Sequence, residues 1–236
     1  MKSPSAMPLI ISIEGNIGTG KSTIVENLKK YMKDIPGVVF LKEPVDIWES
    51  IKDSNTGETI LQKFYADPQK YAFSFQVMAY ASRLSVIRQQ IHAIPAPDII
   101  ICERSLEADY NIFAKMLHDD GMIDDVNYKI YKHFYEEFSY KYGLDAVVYI
   151  DSDAEICHER IKKRAREGES GIPLDYLQKC KSYHDTWLGN VEMEKLHLNT
   201  NSDATYDGSD IGSEWLEQIK QFILTTHSMR ENNYVD

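Results

Sequence analysis

The sequence predicts an α/β protein with a five-stranded parallel sheet flanked by helices, and three observations carry that expectation. Five short β-rich runs, Leu9 to Glu14, Val38 to Leu41, Asp98 to Cys102, Ala146 to Ile150 and Leu196 to Asn199, are separated by longer helical patterns. The first four are largely continuous in apolar character, as strands covered on both faces of a parallel sheet are. Residues 15 to 22 read Gly-Asn-Ile-Gly-Thr-Gly-Lys-Ser, a GxxxxGKS phosphate loop set directly between the first run and a helical pattern.

The elements follow in order. Met1 to Met7 is short and polar and reads as a flexible start. After the first strand and its loop, a helix opens at about Lys21 with Ile24, Leu28 and Tyr31 on one face. Beyond the second strand a long helix is expected from Pro68 to Ile91. Proline suits a first turn, and Pro95-Ala96-Pro97 stops the helix. The third strand leads into a helix from about Ser105 toward Leu117, broken by Asp119-Asp120-Gly121, and a further helix covers about Asp125 to Tyr140. The fourth strand is followed by an arginine-rich helical segment, the fifth by a polar surface loop, Asn199 to Gly212. Trp215, Leu216, Ile219, Phe222 and Ile223 mark a C-terminal amphipathic helix, and the polar tail from Arg230 is expected to fray. At 236 residues the chain reads as a single domain.

Composition narrows the partners. The 26 Lys+Arg against 37 Asp+Glu give a formal charge of -11, so a nucleic-acid backbone is repelled by default. No apolar stretch reaches the length of a bilayer span, and none reads as a signal peptide. Cys102, Cys157 and Cys180 are far apart and read as free thiols, and the histidines lack zinc-ligand spacing. The expected location is cytoplasmic, or the mitochondrial matrix if a presequence has been removed.

The motifs call for phosphate chemistry. Gly15, Gly18 and Gly20 let backbone N–H groups converge on a polyanion, with Asn16, Ile17, Thr19 and Thr23 completing the loop and its exit. Lys21 supplies a mobile charge for the β/γ-phosphates, and Ser22 is placed to ligate Mg²⁺. Glu43, fixed in direction by Pro44, falls at the carboxyl end of the second strand, where a parallel sheet binds ligands. It could accept a proton from an attacking hydroxyl while Trp48 packs on a planar ring; a surface glutamate and a core tryptophan would give the same pattern. Glu103 and Arg104 close the third strand, as a metal-side carboxylate and a phosphoryl-facing arginine would, or as a local ion pair. Arg160 and Arg164 share a helix face, and Arg166 follows. Gly168 and Gly171 suit a segment that opens and closes, although a solvated charge run would look the same.

Taken together, GNIGTGKS, EPVDIW, Phe75-Gln76, ERS and the arginine segment followed by Glu169-Ser170-Gly171-Ile172-Pro173-Leu174 resemble the deoxyribonucleoside kinases, in particular their deoxycytidine and deoxyguanosine kinase branch. The likeness runs from Leu9 to about Trp187. It implies a phosphate-loop kinase fold with an arginine-bearing lid over about residues 160 to 171. It also implies transfer of the γ-phosphoryl of ATP, or another nucleoside triphosphate, to a deoxynucleoside 5′-hydroxyl. By the same resemblance Glu43 is the general base, Trp48 and Phe75 line the base pocket, Gln76 reads the base edge, and Phe113 stacks on it. Tyr65 and Glu169 hold the sugar 3′-hydroxyl. Glu103 serves the metal, Arg104 the phosphoryl group, and Arg160, Arg164 and Arg166 the lid. A homodimer and feedback inhibition by a deoxynucleoside triphosphate are implied as well.

Arg83, two helical turns after Gln76, and Asp109 match a pair found in members that act on cytosine and purines, and the small Ala79 leaves space for a larger base. Deoxycytidine or a purine deoxynucleoside is therefore expected over thymidine; a core ion pair without a specificity role is the alternative. Glu107 is an extra carboxylate beside the expected pocket. Two other classes stay open. One is a nucleoside monophosphate kinase of thymidylate-kinase type, the other a non-catalytic nucleotide-binding switch protein. The strand-end carboxylate Glu43 argues against a phosphorylated acceptor, and the full set of catalytic side chains argues against a switch alone.

Overall fold

The computed structural model of the chain describes residues 7–165, 171–208 and 210–232. Its centre is a parallel sheet of five strands, β1 (Leu9–Glu14), β2 (Val38–Leu41), β3 (Ile99–Glu103), β4 (Ala146–Asp151) and β5 (Glu194–Asn199), in the order β2-β3-β1-β4-β5. β1 thus lies in the middle, pairing Ile11 with both Ile101 and Ala146. Its burial explains the run of apolar residues, because both faces of the central strands are covered.

Alternation along the strands sends side chains to two cores. Leu9, Ile11 and Ile13 of β1, with Ile99, Ile101, Val148 and Ile150, face α1 (Lys21–Tyr31) and α10 (Ile211–Asn232) through Ile24, Leu28, Trp215 and Ile219. The opposite face carries Ile10, Ile100 and Cys102 against α4 (Pro68–Ile91) and α7 (Asp125–Tyr142). Farther along that face, Val147 and Tyr149 meet α9 (Leu174–Asn190). α4 begins as expected: Asp67 caps it by accepting the Lys70 N–H, and proline occupies its first turn.

Three features depart from the sequence expectation. The helix expected from Ser105 is divided into α5 (Leu106–Ala108), a π-helical stretch over Asp109–Ala114, and α6 (Lys115–Asp119). Such wide turns are enriched at functional sites. Two short helices, α2 (Val45–Ser50) and α3 (Ile60–Ala66), fold after β2, the latter started by a Thr59–Gln62 capping box. At the C-terminus α10 continues past Arg230 to Asn232, where fraying was expected to begin, and Arg230 donates to the Pro8 carbonyl at 3.1 Å and Asp145 Oδ2 at 2.9 Å; the rest of the expected tail, 233–236, lies outside the described residues. The helix after β4, α8 (Ala154–Arg164), carries Arg160 and Arg164, whereas Arg166 and Glu169 lie outside the described residues. Among the described residues no helix is long and apolar enough to cross a membrane.

Candidate active site

The phosphate loop is tight because its neighbours leave no room. A Cβ on Gly15 would lie 2.3 Å from the Ile150 carbonyl oxygen, and one on Gly18 would lie 2.6 Å from that of Cys157 in α8. Gly20, at φ +94°, then turns the chain into α1. Asn16 anchors the loop from below, donating from Nδ2 to Leu177 O at 2.7 Å, while Thr19 Oγ1 donates to Asn16 O. Lys21 folds back on the loop, with Nζ 3.0 Å from Gly15 O and 2.6 Å from Asn16 O. Burial, and next the charge of Arg104, push its pKa down to about 7 against the opposing pull of Glu43, Glu103 and Glu14.

The loop opens onto a cleft of about 400 Å³ at the carboxyl ends of β1, β2 and β3. Its phosphate-loop end is lined by Gly18, Gly20, Lys21, Ser22 and Thr23, with Arg164 of α8 at the rim. The far end is an aromatic slot of Trp48, Tyr65, Phe75 and Phe113, to which Phe64, Leu61 and Tyr176 add walls not expected from sequence. The slot is rigid: Phe75 stacks on Phe64 at 4.7 Å and meets Trp48 edge-on at 5.4 Å, and Trp48 Nε1 donates to Ser82 Oγ at 2.9 Å. Gln76 and Ala79 lie on the slot side of α4. Gln76 is buried, yet its Oε1 has no hydrogen-bond partner among the described residues. An acceptor left unpaired there fits a ligand that brings a donor.

Between the two ends stands a charged hinge point. Glu43 Oε1 accepts from Arg83 Nη2 and from Arg104 Nε, each at 3.2 Å. A fifth of the Glu43 side chain remains exposed, so it is reachable from the cleft. Burial, the largest influence, acts to raise its pKa, but Arg104, Arg83 and Lys21 overcome it and leave the carboxyl below its ordinary value. It is a carboxylate at neutral pH. Arg104 also donates to Gly15 O at 3.1 Å and lies 4.6 Å over the Phe113 ring. Ser22 Oγ donates to Glu103 Oε1 at 2.5 Å. This pair of oxygen donors suits a hard cation such as Mg²⁺, which draws its remaining ligands from phosphate and water. No group of three or more His, Cys, Asp and Glu that could hold a metal occurs among the described residues.

The chain matches a profile described as deoxynucleoside kinase over residues 11–224. It belongs to the deoxynucleoside kinase family. It is similar to deoxycytidine kinase 1 of Xenopus laevis, 31% identical over 246 residues that cover 91% of this chain and 90% of the relative. A probable deoxycytidine kinase of Fowlpox virus (strain NVSL) is 33% identical over 220 residues, 90% of this chain and 87% of the relative. A mitochondrial deoxyguanosine kinase of Xenopus laevis is 29% identical over 245 residues, 90% and 89% of the two chains. Within the family the chain is therefore on the deoxycytidine and deoxyguanosine kinase-like side, and it has the α/β fold with a five-stranded parallel sheet.

The kinase cleft gathers most of the residues that its sequence singled out, but three behave differently. Arg160, although on α8, is not directed into the cleft. Its guanidinium donates to Thr200 O at 2.9 Å and Ser202 O at 3.0 Å and pairs with Asp203 Oδ1 at 3.3 Å, so it fastens the loop after β5. Arg83 lies behind the slot wall: only 4% exposed, it pairs through Nε with Asp109 Oδ2 at 2.9 Å and donates from Nη1 to Glu103 O at 2.8 Å. Glu107 faces neither ligand nor solvent, because its Oε1 accepts the Leu144 N–H at 3.1 Å just beyond the end of α7. Burial raises its pKa to about 7. Sequence reasoning passed over Glu14, the last residue of β1. Its Oε1 accepts from Ser105 at 2.5 Å, and burial raises its pKa against the opposing Arg104 charge. A carboxylate ending a strand that is apolar but for Ser12 is the signal that could have found it.

Proposed function

We propose that this deoxynucleoside kinase phosphorylates the 5′-hydroxyl of deoxycytidine or a purine deoxynucleoside with ATP, and that Glu43 is the general base. One observation carries the reading. An ionised carboxylate stands where the phosphate-loop end and the aromatic slot of one cleft meet, held by two guanidinium groups. A neutral sugar hydroxyl needs such an acceptor before it can attack a phosphorus atom.

A base in the slot packs on Phe113 and Trp48, with Gln76 meeting its edge through an amide that both donates and accepts. Ala79 leaves room for a second ring. The sugar then lies beside Tyr65, and its 5′-oxygen points to Glu43, which takes the proton as attack begins. Arg104, in contact with that carboxylate, places positive charge where negative charge builds on the phosphoryl oxygens. Phosphate-loop amides and Lys21 bind the triphosphate, with Arg164 closing from the rim. Ser22, with Glu103 beside it, would hold Mg²⁺, which would supply charge neutralisation on the phosphates. A deoxynucleoside triphosphate that put its base in the slot and its phosphates on the loop would compete with the nucleoside.

A panel of acceptors tests the reading. With ATP and Mg²⁺, deoxycytidine and the purine deoxynucleosides should be phosphorylated with higher kcat/KM than thymidine, and dCMP should not react. Glu43 would repel the about two negative charges of an acceptor phosphate. Turnover of dCMP alone would instead indicate a monophosphate kinase, and a thymidine preference would remove the specificity assignment.

Lys21 makes a second expectation. Its folded pKa of about 7 leaves much of it neutral above that pH, and a bound triphosphate supplies the counter-charge that restores the proton. ATP binding at about pH 8.5 should therefore take up protons, and affinity should fall as pH rises above 7. Titration calorimetry in two buffers of different ionisation enthalpy reads this directly; equal enthalpies would refute it. For the assembly, α7 leaves Val126, Ile130 and Phe134 exposed, which suits the homodimer. Light scattering should report twice the 27.2 kDa chain mass, and a monomer at micromolar concentration would overturn it.

A further inference from the structure

Glu14 takes no part in the transfer described above, yet it is completely buried at the end of β1. A buried carboxyl group is destabilising unless it is paired and hydrogen-bonded, so its partners show what it holds. Its Oε1 accepts the Ser105 hydroxyl at 2.5 Å, and the same Ser105 oxygen accepts the Ala108 N–H at 3.0 Å, which fixes Ser105 at the start of α5. Ser105 directly follows Arg104, whose φ of +67° lies in the left-handed region that few non-glycine residues enter.

That turn redirects two side chains. In an extended strand Glu103 and Arg104 would face opposite sides of the sheet. With Arg104 left-handed, Glu103 reaches Ser22 while Arg104 reaches Glu43 and Gly15 O, so both serve one cleft. The strained backbone is held from two directions. On one side the Arg104 N–H donates to Ile13 O at 3.1 Å; on the other is the Glu14–Ser105 hydrogen bond.

We propose that Glu14 is a positioning residue for phosphoryl transfer: acting through Ser105, its carboxyl group keeps Arg104 left-handed and thereby aims Glu103 and Arg104 together into the cleft. The inference rests on the proposed nucleoside kinase reaction, and Glu14 touches no reacting atom.

Glu14→Ala removes the link from one end and Ser105→Ala from the other. Each should lower kcat at least about 10-fold with the nucleoside KM within about 3-fold, and the double variant should be no slower than the worse single one, because both delete one interaction. Glu14→Gln keeps an acceptor for Ser105, and the Ser12 hydroxyl, two residues back on the same strand face and otherwise unpartnered, can accept from the new amide. It should restore kcat to within about 3-fold of wild type. A residue that only stabilised the fold would lower Tm without this split and without rescue. A binding measurement reads the link without turnover: the Kd of ATP should rise about 5-fold or more in the alanine variants with Mg²⁺ present and stay unchanged in EDTA. Wild-type kcat in Glu14→Ala, losses that multiply in the double variant, or failure of Glu14→Gln to rescue would overturn the proposal. If Glu14→Ala does not fold, Ser105→Ala alone decides, and its normal turnover with normal ATP affinity in Mg²⁺ overturns it. An enzyme whose wild type fails to phosphorylate nucleosides would defeat the reaction assignment, while the Mg²⁺-dependent ATP titration would still test Glu14.

Discussion

Replacing Glu43 with glutamine is expected to lower kcat about 100-fold or more, the usual range for loss of a general base, while ATP binding stays nearly intact. Glutamine preserves the shape of the side chain and an oxygen for Arg83 and Arg104, but it cannot take the proton of the 5′-hydroxyl. Because those arginines and Lys21 hold the Glu43 pKa below its ordinary value, the acid limb of kcat/KM in the wild-type enzyme should lie below the range of a free glutamate. The sign follows from the direction of the shift. A depressed carboxyl pKa keeps the base ionised across neutral pH and loses it only as pH falls through the folded value. Near-normal turnover by Glu43→Gln would refute the assignment. A loss that appears only as a raised KM would show that Glu43 binds substrate without activating it.

The second large effect concerns the buried pair formed by Arg83, behind the slot wall, and Asp109, which lines the cleft. Asp109→Ala alone leaves the Arg83 guanidinium, 4% exposed, without its closest carboxylate. Breaking such a pair from one side costs about 3–5 kcal/mol. For a chain of this length each kcal/mol lowers Tm by about 2–4 °C. Removing both charges, as in Arg83→Met with Asp109→Ala, should destabilise less than Asp109→Ala alone, because no unpaired charge remains. The same double replacement should raise the ratio of kcat/KM for thymidine over deoxycytidine by about 10-fold, since the barrier to the 5-methyl group is a buried polar arrangement. Absolute kcat is expected to fall as well, because Arg83 also steadies Glu43. A double variant less stable than the single one, or an unchanged ratio, would show that the pair is a core feature without a role in base choice.

Much of this is legible in the sequence, for physical reasons. Continuous apolar runs marked the first four strands to within one residue, the β-rich run Leu196 to Asn199 marked the fifth to within two, and the Pro68 start and Pro95 stop bracketed α4 at both ends. The phosphate loop, Glu43 and Glu103-Arg104 could be placed together because parallel strands bring their carboxyl ends to one edge of the sheet. What escaped depends on contacts between segments distant in sequence. Arg160 and Arg164 do share a helix, but Arg160 meets carbonyls of residues 200 and 202 that return beside it only after β5 has joined the sheet. Periodicity gives a face and not a partner. The π-helical turn at Asp109 leaves no mark in an apolar pattern, and neither the Leu144 N–H that holds Glu107 nor the Ser105 hydroxyl that holds Glu14 is a neighbour in sequence.

The strand order has a consequence for the newly made chain. β1 carries the phosphate loop, emerges first, and finds both of its sheet neighbours in much later segments, Ile99–Glu103 and Ala146–Asp151. Until residue 151 has been synthesised, Ile11 and Ile13 lack a complete sheet around them, and no shorter nascent fragment can shape the nucleotide site. Pairings so distant in sequence form slowly and leave strand edges open meanwhile. Removal of β4 or β5 should therefore yield an aggregating polypeptide and no smaller ATP-binding module.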